Sequence, residues 1–378
     1  MFLLRIFAVP ASARVCHNRR REDLRAHATL GALSARPTSM RCTLVVQGLL
    51  DWPSSALAGV AKAAPALSRL LATDASPTRE PDAVVATACR VCGLAKQQDW
   101  PVAPWLARAA GVAVGDAYWL CADPAQFLVG PSDVRLGGLV GDLDAGDAQV
   151  LVAMLNGHFA GDGIRFFAPT PAHWFARADP PPRMVTRPPE AALGAPMIPY
   201  LAAGPDAARW QRWQNELQML FFEHAVNRRR EGDGHVGVDS LWLWGGGSLV
   251  PPARAAARIF ADCGLVSTLG RSVGLDCLPL PAAFSALPCA ATCVIWLETT
   301  RGDDPEELAR IDRAWMAPVE RALHAGVFNT LELILTGRTL ALAFRVVRPS
   351  WGKRWLARIA SQRASSPLAR LLAEGSAN

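Results

Sequence analysis

The chain has 378 residues, 51% hydrophobic and 19% charged, which excludes an intrinsically disordered protein and leaves room for a large core or two domains. Its net charge of +6 sits at the ends: residues 1–39 hold seven Arg against Glu22 and Asp23, residues 346–378 hold six Lys or Arg against Glu374, and 40–345 is mildly acidic. An acidic middle excludes a nucleic-acid binder, which needs a basic stripe on its folded face, and no apolar run reaches the roughly 18 residues of an integral membrane segment.

From the N-terminus, "MFLLRIFAVPASA" has the small-residue ending of an export signal, but no charge precedes its apolar stretch and Arg5 interrupts it. Residues 1–39 are read as a basic extension, disordered and outside the fold. The nine cysteines are odd in number and scattered, as free thiols in a reducing cytoplasm are. Cys89 and Cys92 fall in a helical pattern, and Cys289 and Cys293 lead into a strand. Zinc needs four ligands with loop-like spacing, so these read as small core residues, and no cofactor is expected.

Strand-like runs are Thr43–Val46, Ser240–Trp244, Ala291–Leu297, Leu331–Leu335 and Leu340–Val347. The clearest helix is Ala208–Arg230, with Trp210, Trp213, Leu217 and Leu220 or Phe221 at helical spacing and His224 closing the stripe as a packing residue. Strands separated by helices imply an α/β core with a mainly parallel sheet, spanning 40–75 and 206–347. Residues 76–205 are rich in Pro, Gly and Asp, with short strand candidates such as "DAYWLCADP" and "GIRFFAP". They read as a smaller inserted α+β module, ending in a Pro-rich linker across Pro180–Pro189. The tail 348–378 carries Trp351, Trp355, Leu356 and Ile359 on one side and reads as a basic helix docking on its own domain, with a membrane-surface role as the alternative.

The stretch "VDSLWLWGGGSLVPP" reads as a core strand of the parallel sheet ending at a glycine turn, with Pro251 and Pro252 opening a helix. No Lys follows the glycines, so a Walker loop is excluded. An anion pocket at Gly245, Gly246, Gly247 and Ser248 stays open beside the structural reading, with Asp239, Arg254 and Arg271 as neighbours.

In this order, "TLVVQGLLD", "PALSRLLA", "GVAVGDAYWLCADPAQFLV", "HAVNRRREGDGHVGVDSLWLWGGG" and "CGLVSTLGRSVGLDCLPLP" resemble segments of the archaeal-type, cofactor-independent phosphoglycerate mutases of the alkaline phosphatase superfamily. "SLWLWGGG" and "WLCADP" also resemble the bacterial family of regulatory proteins of RpfE type, which usually has Arg where this chain has Cys121. The resemblance implies an alkaline phosphatase-like core with a lid module. It also implies two divalent metals and a Ser nucleophile, whose ligands are indispensable to phosphoryl transfer.

Those positions read poorly here. The resemblance implies an Asp at the end of the opening strand, where Gln47 or Gly48 stands here. The segment "WLETTRGDD" lacks the family's His and carries Arg301, and the final Asp-His pair falls on Gly337 and Arg338, which fit a tight hairpin. Between Thr73 and Ala88 only Ser76 stays open as a nucleophile, and His224, His235 and His324 are not at ligand-like positions. The expectation is a non-catalytic, phosphoglycerate mutase-like protein with a regulatory or ligand-sensing role, meeting a small anionic ligand or a protein partner. The alternative is an active mutase or phosphatase that uses Asp51, Glu298, Asp303 and Asp304. A third class is an interaction protein with exposed Trp anchors among its 13 Trp.

Overall fold

The computed structural model describes residues 41–53, 60–73, 76–81, 83–253, 258–287, 293–299 and 304–348. The N-terminal extension, the tail beyond residue 348, Arg254, Cys289, Arg301 and Asp303 lie outside them. The strands are β1 (Arg41–Gln47), β2 (Thr78–Pro81), β3 (Tyr118–Val129), β4 (Val134–Leu139), β5 (Ile164–Phe167), β6 (Phe175–Ala178), β7 (Ser240–Gly247), β8 (Arg258–Ala261), β9 (Asp276–Leu278), β10 (Cys293–Glu298), β11 (Thr330–Thr336) and β12 (Leu340–Val347). The principal helices are α1 (Pro65–Leu71), α2 (Ala83–Val91), α3 (Val102–Ala109), α4 (Ala145–His158), α5 (Ala207–Phe222), α6 (Ala225–Gly232), α7 (Gly264–Ser272), α8 (Pro305–Ile311) and α9 (Ala317–Ala325).

The fold is α/β, with two separate sheets. The first has seven strands in the order β2-β12-β11-β1-β10-β8-β9. Its centre is parallel, and β12 and β2 add antiparallel pairings at one edge. Both faces are covered, which is why β1 reads as a continuous apolar run. Leu44 and Val46 face Leu67, Leu308 and Val319, while Val45 faces the side of Ala88, Leu106 and Leu269. The expected hairpin between "LELILT" and "TLALAF" is present, with β11 and β12 antiparallel around Gly337 and Arg338.

The second sheet is antiparallel, in the order β4-β3-β6-β5 with β7 also paired to β3. Its outer core joins Leu120, Phe166 and Ala176 to Leu151 and Leu155 of α4 and to Trp210, Trp213, Leu217 and Phe221 of α5. Helix α3 bridges the two sheets: Trp105 and Leu106 share a core with Trp119 and Trp244 on one side and with Val266 and Leu269 on the other.

Four expectations need correction. First, β7 is not a strand of the parallel sheet; it pairs antiparallel with β3 from Trp119↔Gly247 to Ala125↔Ser240. Second, the boundaries interleave. β2, from the 76–205 stretch, completes an edge of the first sheet, whereas β7, from the 206–347 stretch, belongs to the second. Third, the long helix breaks at Glu223. His224 caps α6, its Nδ1 accepting Val226 N–H at 3.2 Å, and the Asn227 amide ties Phe221 O to Val238 O. His224 is therefore an N-cap. Fourth, the Pro-rich run is docked into the fold. Val185 and Ala203 exchange both backbone hydrogen bonds, Met184 and Thr186 are buried, and Thr186 N–H donates to Asp99 at 2.9 Å.

Candidate functional site

In a parallel α/β sheet the carboxyl ends of the strands point their final side chains and the following loops at one edge, where ligands bind. Four polar residues stand there on neighbouring strands. Thr336 ends β11, Gln47 ends β1, Glu298 ends β10, and Cys263 follows β8 as the cap residue of α7. Gln47 is in register with both Thr336 and Glu298, so the three side chains share one face.

The Gln47 amide is already engaged. Its Oε1 accepts the buried Trp296 indole N–H at 2.8 Å and lies 3.9 Å from Cys263 Sγ. The Gln47 carbonyl accepts Thr299 N–H at 3.0 Å and the Thr299 hydroxyl at 2.9 Å. Gly48 follows with φ 85°, and a Cβ there would lie 2.7 Å from Thr299 Oγ1, so the turn demands glycine.

Burial raises the Glu298 carboxyl above its usual range; the Cys263 thiol opposes this and Asp262 adds to it. Glu298 Oε1 and the fully buried Thr336 Oγ1 have no partner among the described residues. Burial, reinforced by Glu298, raises the Cys263 thiol strongly, although its sulfur faces the backbone N–H groups of Val266 and Leu265. At neutral pH the row therefore holds a neutral thiol, not a thiolate nucleophile.

Beside the row, Asp51 Oδ1 accepts Arg338 N–H at 2.8 Å, with Arg338 Nε 3.9 Å away. Burial raises the Asp51 carboxyl, and the Arg338 N–H and charge oppose it. A Cβ on Gly337 would stand 2.7 Å from Asp51 Oδ1. The Arg338 guanidinium also donates to Leu193 O at 3.0 Å, linking this edge to the segment beside β4. Asp304, named as an alternative ligand, caps α8 by accepting Glu306 N–H at 2.9 Å.

Gln47, Glu298, Asp51, Gly337 and Arg338 thus gather at one edge. The glycine run does not join them. Gly245, Gly246 and Gly247 are buried inside β7. A Cβ on Gly246 would lie 2.2 Å from Tyr118 Oη, and one on Gly247 2.5 Å from Pro101 Cβ. These glycines let β3 and the start of α3 approach the strand. Ser248 is held by Gln97, which accepts its N–H at 3.1 Å and donates to its carbonyl at 2.8 Å. Residues 248–253 are irregular, and the next described element is strand β8, not a helix. Asp239 accepts Phe127 N–H at 2.7 Å beside the β3–β7 ladder. Arg271 sits in the last turn of α7, where neighbouring Ser272 accepts from Arg108 at the far end of α3 from Pro101. Its charge acts on Cys277 of β9.

One group was not foreseen. Asp123, Glu190 and Asp99 each add to the burial that raises the thiol of Cys121 on β3. Asp123 accepts the Trp244 indole at 2.7 Å, with His173 Nδ1 at 3.5 Å from its other oxygen. Asp99 accepts Trp100 N–H at 2.8 Å, Thr186 N–H at 2.9 Å and the Thr186 hydroxyl. Glu190 is pushed up to about 7, by burial first and then by Asp123. The available signal was an Asp in the apolar run "YWLCADPA".

The resemblance to phosphoglycerate mutases implies two divalent metals, which the described residues at the carboxyl edge do not fit. β1 offers an amide oxygen committed to an indole, the β11 turn offers Gly337 and a cation, and Asp51 is committed to Arg338. No three His, Cys, Asp or Glu side chains converge as a metal-holding group among the described residues.

No family model matches the chain. Over 150 residues it is 24% identical to a probable 2,3-bisphosphoglycerate-independent phosphoglycerate mutase of Geobacter sulfurreducens, a match spanning 38% of this chain and 38% of that protein. Among solved structures, a cofactor-independent phosphoglycerate mutase of Thermoplasma acidophilum is 15% identical, with TM-score 0.40, covering 90% of this chain and 100% of that one. A Pyrococcus horikoshii protein is 16% identical, with TM-score 0.39, covering 81% and 87%. The chain is thus distantly similar in sequence to cofactor-independent phosphoglycerate mutase.

Proposed function

We propose that the protein is a non-catalytic, phosphoglycerate mutase-like protein of the bacterial cytoplasm, of the RpfE regulatory type, that senses a small anionic ligand. The core is then alkaline phosphatase-like and the second sheet the remnant of a lid. The observation that supports this reading is the Gln47–Trp296 hydrogen bond: near the place where the resemblance implies a metal ligand, this chain has an amide that accepts from a core indole.

Arg338 supports the ligand class, because an Arg is charged at any usable pH and its fork suits carboxylate and phosphate. Arg301 is the second cation assigned to the anion. The test is thermal denaturation with 3-phosphoglycerate and with inorganic phosphate, without metal. Binding to the folded state raises the melting temperature by mass action. The shift should be lost in Arg338→Ala. Absence of a shift with either anion, or a shift that appears only with added manganese, contradicts the reading.

A further inference from the structure

At the amino ends of β1 and β10, opposite the Gln47 row, two thiols stand side by side. Cys42 near the start of β1 is in register with Cys293, where β10 begins, across a parallel pairing. In-register residues of neighbouring strands point to the same face. Both sulfurs therefore lie on the face of Leu44 and Ile295, where Cys42 is buried and Cys293 packs against the same core while partly exposed. One strand further, Arg258 of β8 is in register with Cys293 and pairs with Asp276 of β9 at 2.8 Å.

The Cys42 thiol donates to Cys293 and holds the Cys293 thiol below its ordinary range, against burial and with help from the Arg258 charge. Burial instead raises the thiols of Cys89, Cys92, Cys121, Cys263 and Cys277. The thiolate is the form that reacts with oxidants, so reach and charge together set Cys293 apart from these five. Neighbouring strands lie about 4.8 Å apart, within the Cα separation of about 4.4–6.8 Å that a disulfide bridges. A relaxed disulfide draws its Cβ atoms to about 3.8 Å, closer than strands in register hold them. A bond here is therefore strained and readily reduced, as a reversible one in a reducing compartment must be.

We propose that Cys42 and Cys293 are a reversible dithiol site that hydroperoxides oxidise to a disulfide between β1 and β10. The Cys293 thiolate attacks one peroxide oxygen. The O–O bond breaks, and the departing oxygen leaves as water with the proton that Cys293 gave up. The resulting sulfenic acid is attacked by the Cys42 sulfur. The S–O bond breaks, and a second water leaves with the Cys42 proton. Two thiols are oxidised, one peroxide is reduced, and a thiol reductant reverses the bond. The site is independent of the anion reading, and either can fail alone.

The test treats the reduced full chain with a small excess of hydrogen peroxide, then unfolds it in N-ethylmaleimide and maps its tryptic peptides by mass spectrometry. The peptides holding Cys42 and Cys293 should be joined, two hydrogens lighter than their sum, and dithiothreitol should separate them. In Cys42→Ala the joined pair should be lost and dimedone should capture Cys293 as a sulfenic acid. In Cys293→Ala the Cys42 thiol should stay reduced. The map of the unsubstituted chain decides the pairing even if a variant does not fold. Uptake of N-ethylmaleimide by both Cys42 and Cys293 after peroxide overturns the proposal. So does Cys293 joined to Cys289 in place of Cys42, or oxidation of Cys42 undiminished in Cys293→Ala.

Discussion

The Trp296 indole donates to Gln47 Oε1 at 2.8 Å, joining the buried face of β10 to the last residue of β1. An amide oxygen serves this purpose without charge. A carboxylate there would sit beside Glu298 and Cys263 in a buried row, where ionisation is already disfavoured.

Gln47→Leu therefore leaves the Trp296 N–H buried without an acceptor. Urea unfolding should show a loss of about 1–3 kcal/mol. An unchanged midpoint would mean that the hydrogen bond contributes nothing to the fold.

The β7 glycines serve close approach. Gly246→Ala places a Cβ 2.2 Å from Tyr118 Oη and 2.9 Å from Leu120 Cδ2. Overpacking of this kind costs about 1–3 kcal/mol. Thermal denaturation should show the variant destabilised, with its anion-induced shift intact. A variant of normal stability that no longer responds to phosphate would restore the glycines as an anion cradle.

Glu190 sets a pH dependence. Its folded-state value of about 7 lies above the ordinary 4.5, so the folded chain holds the proton more tightly than the unfolded chain. Its penalty is absent below about 4.5 and grows as pH rises towards 7. The residue is partly exposed although its Oε2 is sealed from solvent, so we count only part of the shift, about 1–2 kcal/mol. Glu190→Gln should gain that much relative to the parent at pH 8 and nothing at pH 4. Parallel stability curves across this range would contradict the assignment.

Much of the parallel sheet was legible because two-sided burial writes strands as apolar runs, as in "TLVV" and "LELILT". The same physics hid the place of β7. In "SLWLWGGG" both strand faces are apolar, so alternation does not tell which sheet the strand joins. The break at His224 was hidden because apolar spacing runs unbroken through Trp213, Leu217 and Phe221, while the cap depends on one Nδ1 contact. Gln47 and Arg338 could be named from the resemblance. Thr336 and Cys263 could not, because their neighbourhood arises from the register of separate strands.

The central claim is the loss of metal-dependent phosphoryl transfer. Two dications held close together need several carboxylates and imidazoles to offset their charge. The described edge instead commits Gln47 to Trp296 and Asp51 to Arg338. The most direct measurement is interconversion of 3-phosphoglycerate and 2-phosphoglycerate by the purified full chain with added manganese or magnesium, followed by ³¹P NMR. The account predicts no conversion above the protein-free rate with either metal. Metal-dependent turnover that is lost in Asp51→Asn would contradict it and establish an active enzyme with a rearranged site.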